Sequence, residues 1–77
     1  MTTMRDIVQE VAARHKITLD EIYSSSREHR IAHPRQEAMA AIYATGRYST
    51  TQVGRHFGKD HTTVVHALRR VAERRGE

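Results

Sequence analysis

The chain has 77 residues, 38% of them apolar, with 13 Lys and Arg against 9 Asp and Glu, a net charge of +4 and no cysteine. A chain this short buries roughly 60% of the surface its unfolded form exposes, enough for one small core spanning the whole sequence and too little for a catalytic cleft between domains. No cysteine means no disulfide, thiolate metal site or thiol nucleophile, and no apolar run approaches the roughly 20 residues of a membrane span or the apolar core of a secretory signal.

These absences point to a cytoplasmic protein that needs no cofactor. The charge is unevenly placed: residues 1–26 carry net −1 and residues 27–77 net +5, mostly arginine. Arginine suits bidentate contacts to phosphate and to base edges. A solvated helical surface would also carry such charge, so position has to decide between the two.

The first segment places Met4, Ile7, Val8, Val11 and Ala12 at helical spacing after threonines able to cap, which predicts a helix from Thr3 to His15. Arg14, His15 and Lys16 near its end suit the negative pole of the helix dipole. Thr18-Leu-Asp-Glu21 has the form of a capping box, with Ile17 and Ile22 as its hydrophobic staple, and so opens a second, short helix. Ser24, Ser25 and Ser26 end it, and a loop is expected from Arg27 to His33 carrying Arg27, His29 and Arg30.

Pro34 fits the first position of a third helix, where its missing N–H is harmless. This helix is expected to reach Thr45, with Ala38, Met39, Ile42 and Tyr43 inward and Gly46 as a left-handed cap. Arg35, Gln36 and Glu37 then fall in its first turn, where acidic residues are the usual choice. Ser49-Thr-Thr-Gln52 is a second capping box, followed by Val53 and Phe57 on one face. Asp60 caps a last helix with Val64, Leu68 and Val71 inward, and residues 73–77 read as a frayed end.

The stretch from Ser49 to Arg70 therefore reads as two short helices joined by a three-residue turn, a helix-turn-helix over about residues 50–70. Gly58 stands where the chain must turn sharply with positive φ. Gly54, inside the first of these helices, costs about 1 kcal/mol against alanine, which is reasonable where a second helix crosses at close range. With Val64, Leu68 and Val71 buried, the outer face of the last helix presents His61, Thr62, Val65, His66 and Arg69. Asp60 to Thr63 occupy its first turn, the part of a recognition helix that meets base edges. Threonine can hydrogen-bond a base or set its methyl against that of thymine, histidine can donate to guanine or to phosphate, and Asp60 can accept from cytosine while also capping.

Ile31-Ala-His-Pro-Arg-Gln36, Val53-Gly-Arg-His-Phe-Gly58, Asp60-His-Thr-Thr-Val64 and His66-Ala67 together resemble the C-terminal DNA-binding domain of the bacterial replication initiator DnaA, over residues 4–72. The resemblance implies an all-α, Trp repressor-like helical bundle of about five helices. It implies monomeric binding of double-stranded DNA at short, asymmetric, A/T-rich boxes of the TTATCCACA type, on the nucleoid, in replication initiation or transcription control. By motif, Asp60, His61 and Thr62 would read bases in the major groove, supported by Thr63 and Ala67. Arg35 and Gln36 would hold phosphate, joined by Lys59, His66 and Arg69. Arg27 would enter the adjacent minor groove, where an arginine senses narrow A/T-rich sequence.

Two departures from the family pattern stand out. Phe57-Gly-Lys-Asp60 is one residue shorter than the family's Phe-Gly-Gly-Arg-Asp, which would alter the docking angle and the preferred box. These 77 residues also contain no phosphate-binding loop of the Gly-x-x-x-x-Gly-Lys-Ser/Thr form, so no nucleotide is expected.

The competing readings are weaker. Six histidines invite a metal site, but Pro34 speaks against one helix through His29 and His33, and His56, His61 and His66 recur at a spacing of five that turns each about 140° from the last. No nucleophile elbow is present, so an enzyme is not expected. The tyrosines are too scattered for an RNA stacking platform. A module binding a replication or transcription protein remains the rival class, on the strength of exposed Val65 beside Ala67.

Overall fold

A computed structural model describes residues 2–76 as five α-helices in chain order: α1 (Met4–Arg14), α2 (Leu19–Tyr23), α3 (His29–Ala44), α4 (Thr50–Phe57) and α5 (His61–Arg74). Local signals set most of the helix starts. Thr3, Thr18 and Ser49 accept from the third helical amide of α1, α2 and α4 at 3.0–3.1 Å, and Asp6, Glu21 and Gln52 reach back to the cap residue. Asp60 does the same for α5, accepting from the Thr63 amide at 3.0 Å. Each such cap satisfies a backbone donor that the helix itself leaves unpaired.

The third helix departs from the expectation. It begins at His29, five residues before Pro34, and runs unbroken through that proline. Pro34 leaves the Arg30 carbonyl without its usual donor, a defect that costs about 3 kcal/mol in a helix interior. Burial outweighs it. Ile31, only 2% exposed, lies on one stripe with Ala38, Met39 and Ile42, and that stripe forms only if the segment from Ile31 is helical. Glu28 precedes α3 without any side-chain cap bond, so the sequence carries no local signal of this start.

The central helix α3 packs against all four others. Its apolar stripe meets Val8, Val11 and Ala12 of α1, Ile22 of α2, Val53 and Phe57 of α4, and Val64 and Ala67 of α5 in one cluster. Tyr43, expected inward, is 43% exposed. At the end of α1, Lys16 adopts φ +57°, a left-handed position usually given to glycine, while its amide bonds the Ala13 carbonyl and that of Ile17 bonds Ala12. The tail is more ordered than expected: α5 continues to Arg74, whose guanidinium donates to Gln36 Oε1 at 2.8 Å. Of the expected frayed end, Glu77 lies outside the described residues. No helix of the described residues is long and apolar enough to cross a membrane.

The joint between α4 and α5 decides how the last helix is presented. Gly58 turns the chain at φ +69°, and the Lys59 amide bonds back to the Gly54 carbonyl at 2.8 Å. A Cβ at position 54 would stand 2.7 Å from the Lys59 carbonyl oxygen and 2.9 Å from that of Asp60. The close approach inferred at Gly54 is therefore real, but its partner is the backbone of the turn and not the body of α5. Gly54→Ala should reverse the usual helical preference and destabilise the fold by about 1–3 kcal/mol, as overpacking against rigid backbone does. Chemical denaturation followed by circular dichroism measures this, and a variant as stable as the parent would rule out the close approach.

Candidate nucleic-acid interface

Helix α5 has two unlike faces. Val64, Ala67 and Val71 are buried, and Leu68 packs against the same core from its edge. On an ideal helix Ala67 and Leu68 lie about 60° and 40° to either side of Val64, so the anchored stripe is wide. His61, Thr62, Val65, His66 and Arg69 are all exposed. Ala67, assigned to a supporting contact, is 2% exposed, and its methyl faces the core instead of joining that row. The small side chain is what lets α5 sit close to the bundle.

Asp60 and Thr63 form the head of the row. One carboxylate oxygen of Asp60 accepts from both the Thr63 amide, at 3.0 Å, and the Thr63 hydroxyl, at 3.2 Å. The amide bond is the main cause holding the Asp60 carboxyl below its usual range. Asp60 stays exposed, so its carboxylate is also open to an outside donor. Lys59, in the turn, reaches Ser25 across a gap of 3.4 Å and so ties the turn to the loop between α2 and α3.

A second feature lies beside the row. Where that loop, α3 and α5 meet is a groove of about 330 Å³ lined by Arg27, His29, His33, Arg35, Arg70 and Arg74, together with Gln36. No carboxylate lines it, and no ion pair engages Arg27, Arg35, Arg70 or Arg74 among the described residues. Arg35 is 9% exposed, and its Nε donates to the Ile22 carbonyl at 2.9 Å, closing the C-terminal end of α2. Its NH2 is buried without a partner, a state that costs about 1–3 kcal/mol until an acceptor arrives. Arg35 is thus both a structural tie and a wall of the groove.

The structure brings His61, Thr62, Thr63, His66 and Arg69 onto one helix with Asp60 as its N-cap, and gathers Arg27, Arg35 and Gln36 in the adjoining groove. Sequence reasoning missed Arg70 and Arg74 as groove residues, because the tail was expected to fray. It also placed His29 and His33 in a loop, whereas they share one face of α3 with ring centroids 4.5 Å apart. Elsewhere, burial and then Arg5 hold His56 below its ordinary value, and its Nε2 shares a hydrogen bond of 2.6 Å with the Tyr23 hydroxyl, joining α4 to α2. Among the described residues no three His, Asp or Glu side chains converge to hold a metal ion.

The capping carboxylates make stability depend on pH. Asp6, Glu21 and Asp60 are all held below their ordinary values, chiefly by the backbone amides of Thr3, Thr18 and Thr63. The unfolded chain therefore binds protons more readily, and the cap contribution is present above about pH 5 and lost as pH falls through the depressed values. Tm should drop on acidification from about pH 4 to pH 2, and Asp60→Asn, which keeps a capping oxygen, should show a smaller drop. Thermal melts across that range check this; parallel losses in parent and variant would contradict the role given to Asp60.

Comparison with known proteins agrees with this geometry. The family profile described as the bacterial dnaA protein helix-turn-helix matches residues 4–71. The chain is 44% identical over 72 residues to the chromosomal replication initiator protein DnaA of Rickettsia massiliae, and equally so to that of Rickettsia conorii, covering 92% of this chain and 16% of either relative. It is 39% identical over 74 residues to DnaA of Deinococcus radiodurans, covering 96% of this chain and 16% of that protein. The chain thus spans about a sixth of the length of the curated relatives it matches. With its five-helix fold and its helix-turn-helix in place, the chain belongs to the bacterial DnaA helix-turn-helix family, a DNA-binding family.

Proposed function

We propose that this chain is a sequence-specific binder of double-stranded DNA, and no enzyme, which lays the first turns of α5 in the major groove and its arginine groove along the flanking backbone. The observation that carries this is the exposed row His61, Thr62, Val65, His66 and Arg69, which starts one residue beyond the glycine turn on a helix locked to the core by its other face. Asp60, His61, Thr62 and Thr63 read base edges, and Val65, 39% exposed, suits a thymine methyl. Arg27 enters the neighbouring minor groove, and Arg35, Gln36, Lys59, His66 and Arg69 hold phosphates. Ala67 supports α5 from the core side and carries no base contact.

The longest dimension of the molecule, 31 Å, is close to one turn of duplex, about 34 Å, so a single copy covers one short asymmetric site. The relatives are named as replication initiators, which favours boxes of the A/T-rich TTATCCACA type and a role at replication origins or in transcription control on the nucleoid. A protein-docking role rests on Val65 alone, one apolar side chain within a polar row, and a lone exposed residue needs no partner.

Affinity for a box-bearing duplex against a scrambled one, measured at several salt concentrations, tests the proposal. The box should bind at least about 10³-fold more tightly, and both affinities should fall as salt rises. Equal affinities, or none that respond to salt, would contradict it. His61→Ala and Thr62→Ala should each erode the preference by about 1–3 kcal/mol. Arg69→Ala should weaken both duplexes alike and reduce the salt slope by about one.

A further inference from the structure

The unbroken run of α3 through Pro34 brings together two histidines that the proline was expected to keep off a common helix. His29 and His33 are one helical turn apart with their rings stacked, 4.5 Å between centroids and 15° between planes. Two histidines at this spacing can chelate a metal ion. Their surroundings oppose a cation: Arg27 faces the pair from the α2–α3 loop, Arg70 and Arg74 from α5, and Arg35 from α3 itself. Toward the end of α1, His33 borders Glu37, but that carboxylate is engaged by Arg14 and His15, with Arg75 close by. The local field is positive and favours an anion.

We propose that His29 and His33 form a proton-coupled phosphate clamp, taking up protons when a backbone phosphate of the duplex enters the arginine groove. The clamp rests on the DNA-binding reading above and adds to it a regulation by pH. In the free protein a second positive charge on the stacked pair is opposed by the neighbouring guanidinium groups. His33 is accordingly held below its ordinary value, first by burial, then by Arg74 and by His29. A phosphate between these groups cancels that repulsion and offers both imidazoles an acceptor. Arg35, which borders the same groove and has a buried NH2 with no partner, adds a further cation that no carboxylate offsets there. Protons bound with the ligand make affinity rise as pH falls, by up to about tenfold per pH unit for each proton taken up.

The test is fluorescence anisotropy with a TTATCCACA duplex at pH 7.5 and pH 6.0, at fixed ionic strength, for the unaltered chain and for His29→Gln/His33→Gln. The unaltered chain should bind about three- to tenfold more tightly at the lower pH, and the double variant should lose most of that gain. A double variant that keeps the whole gain, or an unaltered chain with none, overturns the clamp. Salt-dependent binding that ignores pH overturns the clamp alone, whereas no binding at either pH overturns the DNA-binding reading and the clamp with it. NMR titration of the His33 ring in the unaltered chain needs no substitution: its midpoint should rise when the duplex is bound, and an unmoved midpoint counts against the proposal.

Discussion

Two carbonyl oxygens, of Lys59 and Asp60, stand where a side chain on residue 54 would begin. Because that residue is glycine, the turn folds back onto α4, the Lys59 amide reaches the Gly54 carbonyl, and Gly58 closes the corner in the left-handed region. The direction of α5 follows from this contact. A bulkier residue at 54 would push the turn outward and swing the exposed row of α5 away from the bundle. Val64, Ala67 and Val71 then hold the helix along its length, and the Asp60 cap fixes its first turn.

The arrangement separates rigidity from recognition. Side chains that hold α5 in place lie on its inner stripe, and those available to a ligand lie on the outer one, so the outer residues can be exchanged with little effect on the core. Arg35 departs from this division. Its Nε ties α3 to the end of α2 while the residue also borders the basic groove, so fold and groove share one side chain. A substitution at Arg35 therefore mixes two effects, whereas the exposed Arg69 reports more cleanly on contact with a polyanion.

Much of this was legible in the sequence because the signals were local. A capping hydroxyl or carboxylate acts on an amide three residues away, and Thr18, Ser49 and Asp60 each announced a helix within one turn of their own position. Gly46 and Gly58 announced their positive φ in the same way. What escaped notice depended on distant neighbours. The early start of α3 is set by burial of Ile31 against the core, which outweighs the proline; the burial of Arg35 by a carbonyl on another helix; and the docking of Arg74 by Gln36, 38 residues earlier. The basic groove was hidden for the same reason, since its walls come from a loop and two helices far apart along the chain. Lys16 shows the limit of residue-type rules, taking a left-handed position that its composition does not advertise.

The central claim is geometric: the outer row of α5, and no other face, meets the bases of a duplex. Intermolecular nuclear Overhauser effects between a TTATCCACA duplex and the isotope-labelled chain test it most directly. The account predicts contacts from His61 and Thr62 side-chain protons to base protons in the major groove, with the arginine groove following the sugar-phosphate backbone. Contacts gathered instead around the cleft between α1 and the end of α3, near Ile7 and Tyr48, with α5 unperturbed, would contradict it.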